Sequence, residues 1–516
     1  MQVRRDPSSI RRDAFRKVQS PGRHLAKANR TIAFRRGRMY VDGPSKTENR
    51  NCGLLAVTCF RFQPVVTQNL VHSESDAGAV WEKHMEPLDL QHSNNPVEAP
   101  TQGRRSFLAC LSLGGMLLGA GATSRAESGE GQVISPERPP SEADSGSLYP
   151  QVRALADECR YPLSFLERSD DNAEAYRHSA REKVLELFHY EPPAVAPAPE
   201  VVGRWEYTDY IQEKVLFSTA PWFRVPAYVL IPKGRKGPWP GIVDLHSHGG
   251  MFVYGKEKVM PLPEGDPPSI ATYRQENYEG RSTSLALCRR GYVVVSIDCF
   301  YFGERRTIFD DDLRKYGWDR SKYSPSDVTY LNGRSSDGEG ILARSLYWAG
   351  TTWQGIAHWD DIRTVDYLLS RPEVDPARIG CLGISMGGDR TDYLAGLDER
   401  IKCAVSVGWM STLRPMIKKH VETHSYIHFL PGLTHFLDLP DLLGCMVPKP
   451  LMVLQCSKDQ LYPLEGMKEA VDKLTAIYAK AGASSLFRGR FYDQPHIFSL
   501  KMQEEAFDWM DHWLKP

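Results

Sequence analysis

Residues 379–388 read IGCLGISMGG. The first six, Ile379–Ile384, form a short, nearly continuous apolar run, the pattern of a strand buried on both faces. The run after Gly388, Asp389–Leu397, is compatible with a helix. Between them lies G-x-S-x-G, with Ser385 on the turn. A strand–turn–helix of this kind pushes a serine hydroxyl out above the end of a sheet. Glycines at 383 and 387 let strand and helix approach closely because they carry no Cβ. This reads as a nucleophile. The plainer alternative is a strand-to-helix turn with a capping serine.

A serine hydroxyl needs a base. On such a sheet the partners follow in the order serine, acid, histidine, after later strands. The run Leu451–Cys456 is followed by Ser457-Lys458-Asp459, and Leu486–Tyr492 by Asp493-Gln494-Pro495-His496. Asp459 and His496 therefore stand just past two strand ends, as orienting acid and base. Asp493 is too close in sequence to His496 for a two-loop geometry, and Asp438 and Asp441 precede the strand. His420, His424, His428 and His435 lie between strands and read as lining a surface or pocket. An oxyanion needs backbone donors. The amide of Met386 is one. The loop His246-Ser247-His248-Gly249-Gly250 offers the other, from His248 if the strand ends at His246, or from Gly250 if it ends two residues later. His248 is preferred. Metal binding by His246 and His248 is disfavoured, because only Asp244 stands nearby as a further ligand. No metal or other cofactor is expected.

Working outward, eight runs read as strands: 214–219, 225–231, 241–246, 292–298, 379–384, 401–407, 451–456 and 486–492. The first two alternate with polar residues, as in an antiparallel edge pair. The later ones are nearly continuous apolar runs. Ile356, Trp359, Ile362, Val365 and Leu369 recur at helical spacing before Pro372, and 467–478 and 500–514 show similar periods. Strands alternating with helices predict a mostly parallel sheet covered on both faces. Ahead of it, 127–147 reads as a linker, 172–188 as a helix and 192–199 as a second linker.

The 516 residues carry 64 basic and 64 acidic side chains, with 41% hydrophobic and 25% charged residues. Mean hydropathy is −0.42, which excludes a polytopic membrane protein. The balance is uneven. Residues 1–50 hold 14 basic against 4 acidic side chains, so the remainder is mildly acidic. That argues against a nucleic-acid binder, whose positive field would lie on the folded domain.

Residues 103–126 read GRRSFLACLSLGGMLLGAGATSRA. Arg104 and Arg105, an apolar run too short to span a bilayer, and small residues at Ser124 and Ala126 have the layout of an export signal. The paired arginines are like those of the twin-arginine type. The signal starts a hundred residues in, so translation is expected to begin at Met85, which makes 1–84 an over-extended frame; the alternative is that 1–84 are a real basic, disordered arm. The expected divisions are 1–84, an export signal in 85–126, a linker and helical extension over 127–200, and a catalytic domain over 201–516. Seven cysteines follow residue 126. Their odd number and apolar settings predict buried free thiols rather than disulfides or zinc ligands.

The stretches PAYVLIPKG at 226–234, LHSHGG at 245–250, RGYVVVSIDCFYFGERR at 290–306, WDDIRTVDYLLSRPEVDPARIGCLGISMGG at 359–388 and PHIF at 495–498 together resemble the α/β-hydrolase superfamily. They are most similar to its acetyl xylan esterase-like and dienelactone hydrolase-like branch. The resemblance implies an eight-stranded α/β-hydrolase sheet with helices on both faces, a serine triad and carboxylic ester substrates, acetylated carbohydrate among them. Two departures stand out. Ser385 replaces the cysteine of dienelactone hydrolases proper, which implies ordinary esters. Ser247 replaces a usual glycine, which leaves the second oxyanion donor open. GERR at 303–306 reads as structural ion pairs. The aromatics Tyr316, Trp318, Tyr323, Tyr330, Tyr347, Trp348 and Trp353 lie in a long insertion and either stack on sugar faces or pack a lid. A catalytically silent binding protein on the same fold is a second reading. A peptidase of the prolyl-oligopeptidase type is a third, with little room for its propeller.

Overall fold

The structure, a computed structural model, describes residues 141–515 apart from Arg235. The divisions expected at 1–84 and 85–126, with the export signal, lie outside the described residues.

Nine strands form one sheet, in the order β1-β2-β3-β5-β4-β6-β7-β8-β9. They are β1 (Glu200–Glu206), β2 (Tyr210–Ala220), β3 (Phe223–Pro232), β4 (Trp239–Leu245), β5 (Val293–Ile297), β6 (Val374–Ile384), β7 (Ile401–Val407), β8 (Leu451–Cys456) and β9 (Phe487–Tyr492). The pairings β1–β2, β2–β3 and β3–β5 are antiparallel, and all the others are parallel.

The count corrects the eight strands read from sequence. The extra strand is β1, an edge strand with mostly exposed side chains, so no apolar run marks it. The pair expected at the edge sits one place inward. β2 is flanked on both sides, and β3 is buried along most of its length. The boundary drawn between 200 and 201 falls inside β1.

Period-two alternation builds the core. In β5, Val293, Val295 and Ile297 face one side, and Val294 faces the other. In β8, Leu451 and Val453 oppose Met452 and Leu454. Each such side chain contributes roughly 1.5–3 kcal/mol on burial. The first face is covered by the helices Ala173–Phe188, Trp353–Leu369, Met386–Leu397 and Leu464–Lys480. The second is covered by Pro268–Tyr278, Thr283–Arg289 and Leu500–Leu514. The helix Ala173–Phe188 is capped by Asn172 and places Tyr176, Ala180, Val184 and Phe188, four apart, in the same core as the sheet. All seven cysteines among the described residues are free and buried. No helix among them is long and apolar enough to cross a membrane.

The insertion after β5 carries the helices Asp310–Tyr316 and Pro325–Trp348, the second opened by a Ser324–Asp327 capping box. Its aromatics divide by environment. Tyr316 packs on Tyr323 and Tyr330, Trp353 is buried against Tyr301, and Trp348 is 95% exposed.

Candidate active site

β6 ends at Ile384 and the helix Met386–Leu397 begins two residues later, leaving Ser385 alone on the turn. Its backbone adopts φ +59° and ψ −125°, a conformation that costs a non-glycine residue about 1–3 kcal/mol. Ser385 N–H donates to Val407 O at 2.9 Å, which fixes the turn against β7. The flanking glycines are required by contact. A Cβ on Gly383 would lie 2.5 Å from Leu245 O, and one on Gly387 would strike the same carbonyl.

Asp459 follows β8 and His496 follows β9. The two loops are joined by Ser457 N–H to Tyr492 O (2.8 Å) and Lys458 N–H to Gln494 O (3.1 Å). His496 Nδ1 donates to Asp459 Oδ2 at 2.6 Å. Asp459 is fully buried in its side chain, and its other oxygen accepts from Leu461 N–H at 2.9 Å. Gly408, just past β7 at φ +52°, leaves room for the histidine. A Cβ there would sit 3.2 Å from His496 Cε1.

Ser385 and His496 are walls of one cavity of about 330 Å³, which His248, His424, His428 and Tyr462 also line. The serine and histidine are not hydrogen-bonded to each other among the described residues. The competing acids are elsewhere. Asp493 is exposed and pairs with Lys458 at 3.0 Å. Asp438 caps the helix Leu439–Gly444, and Asp441 holds Lys473. None of the insertion aromatics singled out above lines this cavity.

β4 ends at Leu245, so the loop begins at His246. Neither the Met386 amide nor the His248 amide donates to another described group, whereas the Gly250 amide donates to His248 Nδ1 at 3.0 Å. His248 Nε2 donates to Glu339 Oε1 at 3.1 Å, and Ser425 Oγ donates to the same oxygen at 2.6 Å. Ser247 Oγ is held between Tyr273 Oη (2.8 Å) and Tyr278 Oη (2.7 Å). Glu339 and the two tyrosines carried no signal in the sequence, since each reaches the loop from a distant helix.

His246 is spent on structure. Its Nδ1 donates to Ser247 O at 3.0 Å and its Nε2 accepts from Cys299 N–H at 3.1 Å. Burial holds it well below the usual histidine range. With all four ring nitrogens of His246 and His248 engaged, neither is open to a metal. One acidic trio, Glu257, Asp298 and Glu304, has cation-site spacing, but Lys256 Nζ occupies its centre at 3.0, 2.8 and 2.7 Å. Glu304 belongs to GERR, whose Arg305 pairs with Asp360 at 2.7 Å and Arg306 donates to Tyr323 Oη at 2.8 Å. That segment is structural.

A second carboxylate–histidine contact lies beside the first. His428 Nδ1 is 2.9 Å from Asp389 Oδ2, and the His428 ring packs 4.2 Å from Trp409. Burial pushes His428 down to about 3, so the ring is neutral at physiological pH.

The profile of the Abhydrolase family matches residues 141–472. A Bacillus subtilis (strain 168) protein named "Putative hydrolase YtaP" is 27% identical over 340 residues, covering 66% of this chain and all of the relative. Among solved structures, a Bacteroides fragilis NCTC 9343 protein described as a "putative acetyl xylan esterase" superposes with a TM-score of 0.51 at 18% identity. The match covers 67% of this chain and 82% of that one, a likeness of fold. With most of its length inside the family profile and the nine-stranded sheet presenting Ser385 at a strand end, the chain belongs to the Abhydrolase family and is a hydrolase of the α/β type.

Proposed function

We propose that this protein is a serine carboxylic ester hydrolase that works through an acyl-enzyme, with acetyl groups on carbohydrate as its substrate class. The observation that carries the reading is the 2.6 Å His496–Asp459 pair in the wall of the cavity that also exposes Ser385.

In this reading Ser385 Oγ adds to the ester carbonyl carbon while His496 Nε2 takes its proton. The carbonyl electron pair moves onto oxygen, where the amides of Met386 and His248 donate to it. Their lack of other acceptors supports that role, and the engagement of the Gly250 amide by His248 Nδ1 argues for His248 over Gly250. Collapse of the adduct expels the alcohol, which takes the proton from His496. Water then repeats the sequence and releases the acid. Asp459 keeps the proton on His496 Nδ1 and stabilises the imidazolium. A hydrogen bond between a catalytic serine and its base commonly tightens only with substrate present.

A cavity of about 330 Å³ lies at the small end for ligand sites. It favours short acyl groups, and its serine, threonine, asparagine and histidine lining suits a hydroxylated alcohol. We place the activity outside the cytoplasm, on the strength of Arg104, Arg105 and the apolar run that follows in 85–126. Turnover of an acyl series from acetyl upward, with acetylated xylan and uronate esters included, tests the reading. Acetyl esters should be turned over best. Absence of ester turnover, with cleavage of peptides instead, would reject it.

A further inference from the structure

Lys258 is buried completely, and the triad makes no use of it. Its Nζ donates to Ser247 O at 2.6 Å and to His248 O at 2.9 Å. The Ser247 carbonyl is the far end of the peptide whose N–H belongs to His248. In a trans peptide the C=O and N–H point in opposite directions. A donor that fixes the carbonyl therefore fixes the direction of the amide. Two donors converge on Ser247 O, since His246 Nδ1 also reaches it at 3.0 Å. The His248 N–H is left on the side away from Lys258, in a residue that lines the Ser385 cavity.

We propose that Lys258 is a positioning residue that sets the His248 amide as an oxyanion donor by gripping the Ser247 carbonyl. The inference rests on the esterase reading above. Three other features fit it. Lys258 Nζ lies over the rings of Phe302 (4.7 Å) and Tyr273 (5.4 Å), which stop it from swinging away. Tyr273 also binds Ser247 Oγ, so lysine and tyrosine hold the same residue at two points. Gly249 and Gly250 follow in left-handed backbone at φ +51° and φ +66°, a loop shape that would otherwise be free to rotate the peptide plane. The hydrogen bond on the carbonyl also polarises the peptide and strengthens its N–H as a donor.

The test compares wild type with Lys258→Met, which keeps the stem and removes the donor. It reads the rate at which a fluorophosphonate labels Ser385, and kcat and KM on an acetyl ester. Losing an oxyanion donor outright costs 10²–10³ in kcat. A donor left in place but no longer aimed should cost about tenfold to a hundredfold in both labelling rate and kcat, with KM within about threefold. A merely structural role would not divide kcat from KM in the folded fraction. If Lys258→Met does not fold, Lys258→Gln, which retains a donor on a shorter stem, should show a smaller loss of the same kind. Unchanged labelling in a folded variant overturns this inference alone. A wild type labelled at Ser385 that turns over no carboxylic ester overturns the esterase reading, while its labelling rate still tests Lys258. A wild type that is not labelled overturns both.

Discussion

His496 Nδ1 meets Asp459 Oδ2 at 2.6 Å, although Asp493 stands only three residues before the histidine in the chain. The nearer acid turns outward to Lys458, because the loop after β9 is pinned to the loop after β8 and so brings the buried Asp459 beneath the ring. Asp459→Asn should lower kcat on the order of 10⁴-fold, since an amide favours the wrong histidine tautomer. Asp493→Asn removes only an exposed ion pair and should change turnover less than about threefold. Steady-state kinetics of both variants decide the matter. The assignment fails if Asp493→Asn is the more damaging.

Ser385 holds a left-handed backbone that only glycine adopts without strain. Ser385→Ala and Ser385→Gly should both lose turnover by several powers of ten. They should differ in stability. The glycine variant should be more stable than the alanine variant by about 1 kcal/mol, reflecting part of the 1–3 kcal/mol stored at such sites. Thermal unfolding of the two measures this. An alanine variant that matches or exceeds the glycine variant would show that the turn is relaxed.

Gly387 lies in the first turn of a helix, where replacing glycine by alanine normally gains about 1 kcal/mol. Here a Cβ would run into Leu245 O, a backbone atom of a central strand that has no cheap way to move. Gly387→Ala should therefore reverse the usual sign, destabilising by at least about 2 kcal/mol and lowering turnover by tilting the serine. Chemical denaturation gives the sign directly, and any gain in stability contradicts the close-approach argument.

The parts of this molecule legible in its sequence are those whose physics is local. Strands β4 to β8 are buried along most of their length, so each announces itself as an apolar run, and the loops that carry Ser385 and Asp459 start where two of those runs stop; β9, ahead of His496, is an edge strand with no fully buried residue. β1 is illegible because an edge strand buries almost nothing, and Gly203 sits within it beside a register shift. The loop after β4 is half legible. Its glycines mark it, but Ser247 becomes intelligible only once Tyr273 and Tyr278 close on its hydroxyl from a helix about thirty residues on. Glu339 is 91 residues from His248. A contact over that distance depends on how the insertion folds back, which no periodicity encodes. The insertion aromatics fail as a guide for the same reason. Their number is visible in the sequence, and the direction each faces is not.

His358 gives the last prediction. It sits on the helix Trp353–Leu369, is 3% exposed, and stacks 4.9 Å from Phe188 with neither ring nitrogen hydrogen-bonded among the described residues. Burial pushes it down to about 3, against about 6.5 in an unfolded chain. Between those values the unfolded chain binds a proton that the folded chain refuses, so stability falls as pH drops through the window from about 6.5 to about 3. His424 and His428 are depressed in the same direction and steepen the same slope. His358→Phe keeps the ring stacking, removes the unpaired polar atoms and removes one titration. It should stabilise the protein at pH 7.5 by about 1–3 kcal/mol, the cost of an unsatisfied buried polar group. The gain should grow steadily as the pH is lowered to 5. Thermal unfolding of wild type and variant across that range separates the two contributions. A gain that stays constant with pH would mean that folding leaves the titration of His358 unchanged, and a loss at every pH would mean that its nitrogens have partners.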